Sequence, residues 1–217
     1  MPWENPRPAV AVQSIDVVSS GKMVPIVVAI TAERTNPQAA SFAPADRPAA
    51  WHPVVDRPGQ SPDTQGPGLP IATPGDDAPD GAKAVRLAFP ASLTEPGAVR
   101  VPAAFLIMDA AEKAKLASGT YHHLTCWIKA DGPGTLSVVL PRQDWKDTLK
   151  STIRLDGGPD WRRMRLALGD DFKLGPTREW TVKELRGELF LFNGQGAAAG
   201  DRPTPAVTLQ IADPRLE

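Results

Sequence analysis

Residues 34–83, RTNPQAASFAPADRPAAWHPVVDRPGQSPDTQGPGLPIATPGDDAPDGAK, hold ten of the chain's 24 prolines. Each proline fixes φ near about −65° and removes a backbone donor, so neither a helix nor a central strand tolerates that density. The segment is expected to be a long loop packed on or near a folded body, and loops of this length tend to be functional. A disordered linker is the alternative. Against it stand Phe42, Trp51, Val54 and Val55, apolar residues for which a linker has no use.

On either side, short runs rich in valine, leucine and isoleucine are separated by Gly, Pro and Asp. Strands are expected near 9–18, 24–32, 83–89, 98–108, 121–130, 135–141, 151–156, 161–168, 185–193 and 206–216. One short helix is expected at DAAEKAKLAS, 109–118. The pattern has no βαβ alternation, no glycine-rich phosphate loop and no internal repeat, which excludes a doubly wound nucleotide-binding fold. The expected fold is all-β: a two-sheet antiparallel β-sandwich with one short helix and a long Pro-rich loop. A single domain, 1–217, is expected, made of N-terminal strands in 1–33, the loop 34–83 and the main strands in 84–217.

At 217 residues, with 41% hydrophobic and 23% charged, the chain can bury a full core. With 24 Lys and Arg against 25 Asp and Glu, the net charge of −1 supplies no field to gather nucleic acid. One cysteine permits no internal disulfide. The start MPWENPRPAV lacks the basic and apolar regions of a signal peptide, and no apolar run reaches the length of a membrane span. The chain as given is expected to be soluble, without a membrane partner.

Rare residues crowd into TYHHLTCWIKADGPGTLSVVL, 120–140, which contains the only Tyr and Cys and two of the three His. Strand alternation sorts His122, Leu124, Cys126, Ile128 and Ala130 to one side and His123, Thr125, Trp127 and Lys129 to the other. The apolar set reads as the core face, with Cys126 a buried structural thiol. His122 and Cys126 stand four residues, roughly 13 Å, apart along the strand, too far to share a zinc ion. The same sorting puts Met164, Leu166 and Leu168 inward with Trp161, Arg163 and Arg165 outward, and Val207, Leu209 and Ile211 inward with Thr208 and Gln210 outward. An outer face carrying Trp, Arg, Lys, Thr and Gln can stack on a sugar ring and bond its hydroxyls, or it can be an ordinary solvated sheet face. No GxSxG elbow is present, and the carboxylates, among them Asp144, Asp147, Asp156 and Asp160, sit in Gly/Pro loops where Asp commonly forms turns.

Several motifs together resemble the galactose-binding-like jelly-roll carbohydrate-binding modules that accompany glycoside hydrolases. Gly119 and Tyr121 match a G-x-Y entry to a strand that ends in Trp127, Ile128, Lys129 and Ala130. Trp161 opens a later strand, followed by Asp171-Phe172, and Leu209, Ile211 and Asp213 match the final strand. PDGAKAVRLAF is similar to a family strand, as are Asn36, Phe42 and Trp51 to its opening. The resemblance covers about 36–217. It implies a jelly roll, a non-catalytic polysaccharide-binding function beside a catalytic domain, and an extracellular or periplasmic location. Binding needs no cofactor under this reading; a structural calcium ion is the one metal it admits, with Asp213 its candidate ligand. The expected ligand-binding residues are Trp127, Lys129, His123 and Arg165 on one sheet face, and Trp51 with Trp145 on loops. Two other readings stay open: a structural or protein-interaction sandwich of a larger extracellular protein, and a jelly-roll glycosidase or lyase using loop carboxylates.

Overall fold

The computed structural model describes residues 39–42, 44–56, 62–95, 98–143, 148–168, 182–194 and 204–217. All of them belong to one compact unit, Asn36–Glu217. The strands expected at 9–18 and 24–32, along with Asn36, Asp171 and Phe172, lie outside the described residues.

Twelve strands are described: β1 Ala40–Ser41, β2 His52–Asp56, β3 Ile71–Pro74, β4 Ala84–Phe89, β5 Leu93–Glu95, β6 Ala98–Ile107, β7 His123–Ala130, β8 Gly134–Pro141, β9 Thr148–Leu155, β10 Arg162–Ala167, β11 Glu188–Asn193 and β12 Val207–Leu216. They form two six-stranded antiparallel sheets. The first has the order β10-β7-β12-β4-β3, with β1 also pairing β12; the second has the order β2-β6-β11-β8-β9, with β5 also pairing β6. Most neighbours are non-consecutive in the chain, β3-β4, β5-β6 and β8-β9 being the exceptions, as in a jelly-roll sandwich. The single α-helix of the described residues, α1 Ala110–Leu116, begins where the Asp109 carboxylate accepts the Glu112 N–H at 2.8 Å. Glu112 then accepts the Ser41 N–H at 2.7 Å and ties the helix to β1.

The core lies between the sheets and follows the alternation. Leu124, Cys126, Ile128 and Ala130 of β7 and Val207, Leu209 and Ile211 of β12 face Leu136, Val138 and Leu140 of β8 and Leu189 and Leu191 of β11, all buried. Burial pushes the Cys126 thiol pKa up to about 12, so it stays an inert thiol. His122 precedes β7 and is exposed, so it takes no place in the core. Gly119 serves the same packing: a Cβ there would stand 2.3 Å from the Tyr121 ring, which is buried with its hydroxyl donating to the Lys115 carbonyl at 3.2 Å.

The Pro-rich span differs from the expected loop, because β1, β2 and β3 all fall within it. The prolines explain where those strands lie. Pro53 is in β2 and Pro74 ends β3, and β2 and β3 are edge strands of the two sheets, where a missing donor breaks no inner ladder. Pro214 is accommodated differently, within an irregularity of β12 between Ala212 and Arg215, where Asp213 takes φ +49°.

Candidate functional site

The outer face of the first sheet gathers most of the side chains expected to hold a ligand. Trp127 stands opposite Arg163 on β10 and Ala212 on β12, and Lys129 stands opposite Gln210. Residues 75–83 then cross this face and engage those groups. Trp127 Nε1 donates to Asp80 Oδ2 at 2.7 Å, and the Arg163 guanidinium lies 5.7 Å from the indole centroid. Ala78, Ala84 and Ala212 form a small buried cluster against which Trp127 and Trp161 pack. Lys129 Nζ pairs with Asp76 Oδ2 at 3.1 Å. Gln210 is on the outer side as expected, yet fully buried: its Oε1 accepts the Asp76 N–H at 2.6 Å and its Nε2 donates to Asp76 Oδ2 at 2.9 Å. Arg165 is exposed and lies 3.3 Å from His123 Nδ1 through its Nη2. The structure therefore brings Trp127, Lys129, His123 and Arg165 onto one face, but the chain itself already engages the Trp127 N–H and pairs the Lys129 ammonium.

This covering is acid-sensitive. Hydrogen bonds from Gln210 and Lys129 hold the Asp76 carboxyl below its usual pKa. Burial pushes the Asp80 carboxyl up, but the bonds from Trp127 and the Ala82 N–H and the Arg163 charge together leave it below the usual value. A carboxylate with a depressed folded pKa adds stability above its unfolded pKa and loses it as the pH falls through the folded value. Trp127→Phe, which removes the donor to Asp80, is therefore expected to destabilise on the order of 1 kcal/mol at neutral pH, allowing for the exposure of the carboxylate. That difference from wild type should shrink below about pH 4 in urea unfolding followed against pH.

Trp51 is placed differently from the expectation. Trp51 is only 2% exposed, and its Nε1 donates to the Ala45 carbonyl at 3.0 Å, so it is a core residue and no platform for a ligand. It is buried because it leads directly into β2, which lays the Pro-rich segment along the sandwich edge. Trp145 lies outside the described residues. Around Asp213 the groups do not fit a calcium ion. Its carboxylate is paired with Arg215 at 3.1 Å; burial pushes its pKa up, with Arg215 opposing. Among the described residues, no three His, Cys, Asp or Glu side chains converge to hold a metal.

A second surface, on the outer face of the second sheet, was not singled out from the sequence. His52 on β2, Phe105 on β6 and Phe190 on β11 stand side by side across three strands. Their rings stack at centroid separations of 4.9 Å and 4.7 Å, and Phe192, two residues further along β11, stacks on Phe190 at 6.0 Å. Parallel rings touch face to face at about 3.5 Å, so a separation of 4.7 Å means an offset of about 3 Å that leaves part of each ring uncovered by the next. His52 is exposed, Phe105 and Phe192 are half-buried and Phe190 is buried. Polar groups flank the row: exposed Thr152 and Arg154 on β9, half-buried Lys150 on β9 and half-buried Asp56 on β2. Burial pulls the Lys150 pKa down, and Asp56, on the opposite edge strand, partly opposes it. The sequence signal for this row is faint but present. Alternation in ELFLFN sets Phe190 and Phe192 on the side opposite Leu189 and Leu191, yet with both sides apolar nothing in the strand says which one is outer.

No protein-family model matches the sequence, and no curated protein matches it. Solved structures do resemble it in fold. The family 11 carbohydrate-binding module from Clostridium thermocellum, solved in complex with a β-1,3-1,4-mixed-linked tetrasaccharide, superposes with a TM-score of 0.55 at 6% identity, over 82% of this chain and 94% of that one. A family 11 module of a cellulosomal cellulase from the same organism gives a TM-score of 0.49 at 7% identity, over 77% and 86%, and adds no separate weight. With its two antiparallel sheets and crossed strand order, the chain has the β-sandwich fold of a jelly-roll carbohydrate-binding module.

Proposed function

We propose that the chain is a non-catalytic carbohydrate-binding module that holds a polysaccharide against the outer face of the second sheet. The stacked row of His52, Phe105, Phe190 and Phe192 carries the reading. Partly uncovered rings offer apolar surface to the C–H faces of sugars, and Asp56, Lys150, Thr152 and Arg154 stand beside them for the hydroxyls. The fold shared with a module solved in complex with a β-1,3-1,4-mixed-linked tetrasaccharide supports it. The face lacks the free carboxylate pair a glycosidase needs among its described residues, because Glu188 is held by Arg186 at 3.0 Å and Asp56 interacts with Lys150. The same reading makes the chain a part of, or an accessory to, a polysaccharide-acting enzyme working outside the cytoplasm. Among the described residues no helix is long and apolar enough to cross a membrane.

Affinity electrophoresis on gels containing mixed-linked β-glucan, xylan, mannan or galactan tests the reading. Wild type is expected to be retarded on at least one. Phe105→Ala should weaken that retardation about tenfold or more, since losing a stacked ring removes on the order of 1.4 kcal/mol. A wild-type chain that migrates freely in every gel, or a Phe105→Ala variant as strongly retarded as wild type, would refute the proposal.

A further inference from the structure

A cavity of about 180 Å³ lies away from the aromatic row, where the edge strands β9 of the second sheet and β10 of the first come together. Its inner wall is core surface left open between the two sheets: Ile128 and Ala130 of β7, Ile153 and Leu155 of β9, and Met164 of β10. Residues 156–161 join the two edge strands and form its rim. That rim is anchored, with the Gly158 N–H donating to the Ala130 carbonyl at 2.9 Å and Gly157 at φ +74° packed against the Gly132 backbone.

The rim carries both signs of charge. Asp156 pairs with Arg162 and, at 3.9 Å, with Arg154. Asp160 lines the same cavity and has no hydrogen-bond or ion-pair partner among the described residues. An anion entering here would meet two carboxylates, and a cation would meet Arg154, Arg162, Arg163 and Lys129, the last two already paired with Glu217 and Asp76. A neutral ring with adjacent hydroxyls suits both: its O–H groups donate to Asp160, its oxygens accept from Arg162, and its C–H face lies on the apolar wall. The volume, below the roughly 300–1,000 Å³ of drug-sized sites, admits one ring and no chain.

We propose that this cavity is a second sugar site, separate from the aromatic row, which takes the terminal residue of a glycan. The inference rests on the carbohydrate reading above. It makes the module a reader of chain ends at its lateral edge as well as a holder of chains on its sheet face.

The test uses the methyl glycosides of glucose, galactose, xylose and mannose as probes of a terminal residue, titrated into the isotopically labelled full chain and followed by amide chemical shifts. At least one is expected to shift amides within 153–164. Asp160→Ala, at an exposed position, and Met164→Phe, which fills the cavity, should each weaken that binding about tenfold while leaving polysaccharide retardation unchanged. Phe105→Ala should do the reverse. Shifts confined to the aromatic row, or binding indifferent to both cavity variants, would overturn the inference. If polysaccharide is retarded but no glycoside shifts 153–164, this inference alone fails; if wild type binds neither polysaccharide nor glycoside, the carbohydrate reading falls with it.

Discussion

Trp51→Ala is expected to lower the unfolding free energy by about 3–5 kcal/mol, the usual cost of deleting a large buried aromatic. Trp51 is 2% exposed and packs in the main core with Ala45 and Ala50 nearby. Removing it opens a cavity and also leaves the Ala45 carbonyl, which accepts the indole N–H at 3.0 Å, without its partner. Trp51→Phe should recover much of the packing while still losing the bond, leaving a deficit of about 0.5–1.5 kcal/mol. Denaturant unfolding measures both. Polysaccharide retardation per folded molecule should be unchanged in either variant. A Trp51→Ala protein of wild-type stability that no longer binds would mean that the indole faces a ligand after all.

The second large effect is expected at Gly157. Alanine there faces two independent penalties. The backbone sits at φ +74°, which costs an L-residue about 1–2 kcal/mol, and the new Cβ would stand 2.6 Å from the Gly132 carbonyl carbon. Backbone cannot swing aside like the end of a flexible side chain, so the crowding adds about 1–3 kcal/mol. A total of about 2–5 kcal/mol follows, measurable by denaturant unfolding. Gly158→Ala makes a useful control. Its φ is also positive, +136°, but a Cβ there meets nothing within 4 Å, so any cost at that position is backbone strain alone. Since +136° is at least as strained for an L-residue as +74°, a larger loss at Gly157 than at Gly158 would show that the contact with Gly132 adds its own cost. The two variants also report on the 156–161 rim, since Gly157 holds it against the turn between β7 and β8.

Strand identity and facing were legible in the sequence because alternation is a local property. Leu124, Cys126, Ile128 and Ala130 fall on the core side of β7, and Trp127 and Lys129 on the outer side, as their spacing requires. What lies on top of an outer face is not local. Gln210 points outward and is nevertheless fully buried, because residues from more than 130 positions earlier in the chain fold over it, as the Asp76 bonds show. Trp127 was legible as outer and illegible as covered for the same reason. In the Pro-rich span, proline density ruled out central strands correctly, but edge strands tolerate proline and the density could not separate an edge from a loop. The aromatic row was hidden by the opposite ambiguity. β11 is apolar on both sides, so periodicity marks no outer face, and the row exists only once Phe105 and His52 arrive from other strands.

Strand order also bears on how the sandwich assembles. β12 sits between β7 and β4 in the first sheet, yet it is the last of the described strands along the chain. Long-range pairing of this kind delays closure, because loop entropy must be overcome before the contacts form. During synthesis, β4 and β7 emerge with their facing edges unmatched until 207–216 arrives to fill the gap. That interval is when the nascent chain is most exposed to pairing with another copy of itself.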